Sequence, residues 1–260
     1  MSSDPYHQRP EWSYSSMKPI LDSGIDYAVA KKQGLVAQPS SEYIDIGQLV
    51  HQDILGGSEK YVLSPYPDFR TKIAQEWRDE QKRNGVIIVT ADMAEAIKRV
   101  ANNIKNHPHS QKYIFHKDAK FEQEMFATTV EGVPLRGKGD VVIVSEENGT
   151  KSLIITDIKT TAQFDKFRKN AYWMHYDLQA VTYSLIGAMS QGVQHELVNY
   201  MFCVAETVAP YRVQFVHASV EFVEAGERKL RTCIDAITDF GDNKPNFLLE
   251  EIIELGDWSN

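Results

Sequence analysis

Apolar residues fall into two rhythms along the chain. The first is a near-continuous β-branched run: Val141-Val142-Ile143-Val144, the turn Glu146-Glu147-Asn148-Gly149-Thr150, then Leu153-Ile154-Ile155. That is the pattern of a hairpin whose strands are largely buried. Upstream, Lys120–Val130 alternates strand-fashion, and Glu131-Gly132 turns it into a strand over Val133–Val144. Downstream, Glu196–Val204 and Tyr211–Val216 read as two more antiparallel strands joined through Ala209-Pro210. Short apolar runs at Tyr61–Leu63 and Val86–Val89 predict minor strands.

The second rhythm is helical. Ser13-Tyr14-Ser15-Ser16 offers hydroxyl caps for a short helix over Met17–Leu21. Glu42–Leu55 places Tyr43, Ile46, Leu49, Val50 and Ile54 at helical spacing and stops at Gly56-Gly57. Phe69–Asn84 and Ala91–Asn106, the latter capped by Thr90, follow the same logic. A long aromatic-rich helix is predicted over Phe167–Met189, and a closing one over Val220–Phe240. Helices, then β-β-β-α-β-β, then a helix, predict an α/β (α+β) fold with a central mixed sheet flanked by helices. No internal repeat interrupts this order, so a single domain over residues 13–260 is expected, behind a flexible arm at residues 1–12.

Composition narrows the class. Hydrophobic residues make up 42% of the 260 and charged residues 25%, the ordinary globular range. No run of 18 apolar residues is present, and Met1–Pro10 lacks the apolar stretch of a signal peptide. A cytoplasmic protein without a membrane partner is therefore expected. Cys203 and Cys233 both sit in apolar runs and neither belongs to a CxxC pair, which predicts buried thiols. The net charge of −8 runs against a polyanion-binding protein. Its distribution does not: Lys98, Arg99, Lys105, Lys112, Lys117 and Lys120 face one acid, Asp118, within their segment. Lys159, Lys166, Arg168 and Lys169 form a second basic cluster, while acids gather after residue 220.

Chemistry-bearing residues gather around the buried hairpin. Asp157-Ile158-Lys159 ends its second strand, so Asp157 and Lys159 project to one side and Ile158 to the other. Asp140 follows the flexible Gly137–Gly139 stretch on the first strand, which runs back alongside. An isolated Asp-x-Lys is ordinarily a surface ion pair. Two carboxylates and an ammonium on buried strands are also the minimal set for holding a hard divalent cation and cutting a phosphodiester. Gln179 and Tyr183, and separately Gly47 and His51, stand at i, i+4 and so share a helix face.

In order, Gly47-x-x-x-His51, Glu124, Asp140, Asp157-Ile158-Lys159 and Gln179-x-x-x-Tyr183 resemble the motifs of the PD-(D/E)xK nuclease superfamily. The branch they are most similar to holds the RecE-type phage exonucleases, the RecB nuclease domain and lambda exonuclease. The pieces span residues 47–183, and no Pro precedes Asp140. The resemblance implies a restriction-endonuclease-like core and a deoxyribonuclease dependent on Mg²⁺ or Mn²⁺. It implies His51, Asp140, Asp157 and the Ile158 carbonyl as metal ligands, with Lys159, Asp157, Asp140 and Glu124 as the catalytic group. Gln179 and Tyr183 would contact DNA near the scissile bond, with Lys166, Arg168 and Lys169 beside them. Two cysteines cannot supply the four-cysteine iron–sulfur cluster of some RecB-like nucleases.

The implied reaction is 5′→3′ digestion of one strand of linear double-stranded DNA. It leaves a 3′ tail for a single-strand annealing partner of the RecT or beta type. A homo-oligomeric ring of three or four subunits is implied as well. Two other readings stay open: a structure-specific or single-strand nuclease of RecB type, and a non-catalytic DNA-binding protein on the same scaffold. No GxGxxG loop, P-loop, GxSxG elbow or HExxH motif supports a metabolic enzyme.

Overall fold

The computed structural model describes residues 5–36, 46–57 and 61–247. Its strands are β1 (Tyr61–Leu63), β2 (Ile87–Val89), β3 (Ala119–Thr128), β4 (Pro134–Glu147), β5 (Thr150–Thr161), β6 (Val198–Glu206) and β7 (Val213–His217). Its helices are α1 (Tyr14–Ser23), α2 (Ile25–Lys32), α3 (Ile46–Leu55), α4 (Lys72–Arg83), α5 (Ala91–Asn106), α6 (Ser110–Tyr113), α7 (Phe167–Trp173), α8 (Tyr176–Gln191) and α9 (Val220–Phe240).

The β-branched run folds as the hairpin β4–β5, turning on Asn148 (φ 50°) and Gly149 (φ 78°). A two-residue loop with both φ positive matches the right-handed twist of its strands. Five strands line up in the order β3-β4-β5-β6-β7, antiparallel except for β5 and β6. A parallel pair needs a crossover, and α7 and α8 supply it. The result is the expected mixed sheet flanked by helices.

Each face buries a separate core. Val142, Leu153, Ile155 and Phe202 pack against Leu178 and Ile186 of α8 and Leu230 and Ile234 of α9. On the other face Val141, Ile143, Ile158 and Cys203 meet Val50 and Ile54 of α3 and Val100 and Ile104 of α5. Helix α9 approaches α8 so closely at Gly226 that a β-carbon there would lie 2.3 Å from the Asp177 carbonyl oxygen. Cys203 and Cys233 are buried in different cores, and burial pushes the Cys233 thiol up to about 12.

Three expectations need correction. The helix expected over Phe167–Met189 is two helices, because His175 adopts a left-handed backbone (φ 55°, ψ 39°) between α7 and α8. Two groups of α1 hold that break: the Tyr14 hydroxyl donates to the Met174 carbonyl, and Asp22 Oδ1 meets His175 Nε2 at 3.1 Å. The N-terminal arm is anchored at Tyr6 and Trp12, while residues 8–10 between them are exposed. Tyr6 is buried beneath the Arg136 guanidinium, 4.7 Å from its ring centroid, and Trp12 exchanges backbone hydrogen bonds with Pro134 and Arg136 beside β4. Its aromatic rings outweigh its polar composition. Finally, α1 continues to Ser23 and is followed by α2, an element the apolar spacing had not marked. Residues 42–45 of the helix expected over Glu42–Leu55 lie outside the described residues.

Candidate active site

The sheet opens where β4 and β5 part. They pair from Glu147↔Thr150 to Val141↔Thr156; from there β4 continues along β3, and β5 along β6 as far as Thr161↔Glu206. Asp140 and Asp157, the next residues on each strand, stand in the fork. Gly137 makes room beside it, since a β-carbon there would press to 3.2 Å from the Tyr183 ring.

The two carboxylates meet different partners. Asp157 is 3% exposed; its Oδ1 accepts a 2.8 Å hydrogen bond from Gln179 Nε2 of α8, and its Oδ2 pairs with Lys159 Nζ at 2.6 Å. Asp140 turns toward α3: its Oδ2 accepts from the Ile158 N–H at 2.7 Å and lies 3.7 Å from His51 Nδ1. The parted strands leave them in electrostatic contact. Burial and then the charge of Asp157 push the Asp140 carboxyl up to about 7.

Lys159 sits 4.6 Å from the Tyr176 ring centroid. Burial alone would lower its pKa, but Asp157 and Asp140 outweigh it, and the ammonium is held above its ordinary value. Lys159 is therefore a fixed positive charge and not a base at neutral pH. His51 Nε2 donates to the Ile158 carbonyl at 2.7 Å, which leaves Nδ1 facing Asp140. Both partners of that hydrogen bond were expected as metal ligands; here the imidazole proton occupies the position between them.

The third acid is Glu122, not Glu124. Counting back from the Thr128↔Pro134 pair sets Glu122 opposite Asp140, and the ladder is broken there by a positive φ at Glu122 (50°). That backbone turns the Glu122 carboxylate into the site, where ligand atoms of His51, Glu122 and Asp140 all lie within 4.8 Å of one another. Glu124, two residues on, is exposed and opposite Lys138 in the register. Lys138 forms an ion pair with Glu122. The triad fits a divalent cation: it offers two carboxylates and an imidazole, and a nearby cation would relieve the repulsion between Asp140 and Asp157.

This cluster opens into a cleft of about 770 Å³ lined by α3 from Gly47 to Leu55, Glu122, Lys138, Ile158, Lys159, Thr160 and Tyr176. Of the residues expected to touch DNA, Gln179 is buried and spends its amide on Asp157, so its place is to orient that carboxylate. Tyr183 is half-buried against Gly137, and burial and Asp157 raise its phenol. Lys166, Arg168 and Lys169 are exposed, and none of them lines the cleft. In the basic segment from Lys98 to Lys120, Arg99 pairs with Glu95 at 2.6 Å and Lys105 with Asp53 at 2.8 Å. His107 stacks 4.9 Å from Phe215. Sequence reasoning missed Glu122, Lys138 and Tyr176.

A forked mixed sheet carrying Asp140 and Asp-x-Lys, with helices on both faces, is the PD-(D/E)xK type of fold. The chain belongs to the family described as "PDDEXK-like domain of unknown function (DUF3799)", which matches residues 13–246. Among solved structures it is similar to one described as a "Putative exonuclease" from Eubacterium rectale. The TM-score is 0.58 at 15% identity, over 98% of this chain and 96% of that one, a likeness of fold. A second, SSO0001, gives a TM-score of 0.31 at 13% identity over 76% of this chain and 87% of that one, too low to carry an argument. No curated protein matches the chain. No helix among the described residues is long and apolar enough to cross a membrane.

Proposed function

We infer that this protein is a metal-dependent deoxyribonuclease that digests linear double-stranded DNA from its ends. The observation that carries the reading is the His51–Glu122–Asp140 cluster beside the Asp157–Lys159 pair, at the floor of an open cleft. His51 through Nδ1, Glu122 and Asp140 would hold Mg²⁺ or Mn²⁺; of the other ligands the resemblance implies, Asp157 is taken up by Gln179 and Lys159, and the Ile158 carbonyl by His51 Nε2. Once bound, the cation supplies Lewis acidity to the scissile phosphate and lowers the pKa of the attacking water.

The chain's own groups do the rest. Lys159, charged and fixed by Asp157 and the Tyr176 ring, neutralises charge that develops on the phosphate oxygens. Gln179 holds Asp157 in one orientation through its 2.8 Å hydrogen bond. Lys138, paired with Glu122 at the cleft wall, gives a strand's phosphates a second positive contact. Attack of water on phosphorus breaks one P–O bond and leaves a nucleotide phosphate and a free hydroxyl end.

The resemblance to RecE-type enzymes supports 5′→3′ polarity, a 3′ tail delivered to an annealing protein, a ring-shaped homo-oligomer, a single nuclease domain over residues 13–260 and a cytoplasmic setting. Labelled linear duplex and closed circular DNA, each incubated with Mg²⁺, test the reading. An end-dependent enzyme shortens one strand of the linear molecule from its 5′ end and spares the circle. Cutting of the circle at an equal rate would replace this reading with an endonuclease.

A further inference from the structure

The cleft continues past Lys159. A second cavity of about 190 Å³ shares Lys159, Thr160 and Tyr176 with the first and is lined further on by Asn170, Trp173 and Met174. Trp173 is 70% exposed and Met174 45%. Large apolar side chains left in water beside a polar cleft mark a contact surface. They are also held in place by the backbone. The left-handed conformation at His175, disfavoured for a residue with a β-carbon, ends α7 at Trp173 and is held by Tyr14 and Asp22 of α1. Non-glycine strain kept beside an active site points to a role for the shape it creates.

Three features choose the occupant. The lining contains a cation and no acid, which suits a polyanion. Asn170 and Thr160 offer amide and hydroxyl groups at the rim of a flat apolar surface. The free apolar area is small: it consists of Trp173, Met174 and the neighbouring Tyr172, whose ring carries the Lys229 ammonium at 4.6 Å. A protein partner needs about 800 Å² per side, whereas one aromatic ring needs only a ring-sized shelf.

We propose that Trp173 and Met174 form a stacking shelf for one unpaired nucleobase next to the scissile phosphate, so that the enzyme acts on a strand whose terminal base has left the duplex. The proposal rests on the nuclease reading of the adjoining site. An indole face accepts any base, so the shelf would select for an unpaired end and not for sequence.

The test is binding of a fluorescent single-stranded oligonucleotide to the full-length protein, with Ca²⁺ in place of Mg²⁺. Trp173→Ala is expected to weaken it by about 5- to 150-fold, the range measured for losing one base–aromatic stack, and Trp173→Phe to restore most of that. Abasic nucleotides placed at successive positions from the end should reveal one position that costs the wild type as much and costs Trp173→Ala nothing further. Equal binding by wild type and Trp173→Ala overturns the proposal, and so does a loss in Trp173→Ala that adds to every abasic loss. Circular dichroism confirms that the variant is folded. Cleavage with Mg²⁺ is scored separately: wild-type protein that cuts no DNA refutes the nuclease reading, and a base-localised loss on Trp173→Ala still supports the shelf.

Discussion

Replacing Asp140 by Asn should stabilise the metal-free protein while destroying its activity. The Asp140 carboxyl is raised from 3.8 to about 7 by burial and by Asp157. At ~1.4 kcal/mol per pKa unit, its ionised form costs the fold about 4 kcal/mol above neutral pH. The folded protein holds this proton between about pH 4 and about pH 7 while the unfolded chain does not, so stability falls as pH rises through that window. Between about pH 5 and about pH 8 the loss from this group is about 2–3 kcal/mol. The carboxamide in Asp140→Asn carries no charge, and its oxygen can still accept from the Ile158 N–H, which lies 2.7 Å from Asp140 Oδ2 in the wild type. Thermal melts in EDTA should therefore show the wild type losing about 5–10 °C more than Asp140→Asn between those pH values. With Mg²⁺ at a hundred times its Kd the gap at about pH 8 narrows to about 1 kcal/mol, because only the wild type gains about 2.7 kcal/mol from binding. A variant that melts lower than the wild type at about pH 8 in EDTA, or that keeps the wild-type pH slope, would refute the account of Asp140.

Glu122→Gln should weaken Mg²⁺ or Mn²⁺ binding at least tenfold by calorimetry, as expected for a ligand, while Glu124→Gln should leave it unchanged; equal effects would remove Glu122 from the cluster. Gln179→Leu should lower kcat with little change in DNA affinity, because Gln179 holds Asp157 and does not face the cleft. A rise in Kd at constant kcat would return Gln179 to the DNA surface. Gly226→Ala should destabilise by at least about 2–3 kcal/mol in urea melts, because α9 must move away from the Asp177 carbonyl. A wild-type midpoint would show that the α8–α9 contact is looser than described.

Much of this architecture could be read from the chain, and the exceptions share a cause. The buried hairpin was legible because β-branched runs flank an Asn-Gly turn, and its register alone sets Asp140 opposite Asp157. Helix α5 and helix α9 begin and end where their caps and apolar stripes place them. Glu122 could have been found by counting register from the Glu131-Gly132 turn. The alternation of β3 gave no sign of the positive φ that turns its side chain inward. The break at His175 contains neither Gly nor Pro, and it is held by Tyr14 and Asp22, more than 150 positions upstream. Helical spacing put Gln179 and Tyr183 on one face, but which groups that face would meet depends on where α8 lies on the sheet. Local patterns specify elements; which side chains converge at the fork is decided by tertiary packing.

The fork between β4 and β5 is proposed as a phosphodiester-cleaving centre. Its most direct measurement follows a 5′-labelled linear duplex with Mg²⁺, using wild-type protein and Lys159→Ala side by side. Steady release of label by the wild type, none by a folded Lys159→Ala and none by either in EDTA is the predicted result. Release that persists at the wild-type rate in Lys159→Ala, or in EDTA, would contradict it.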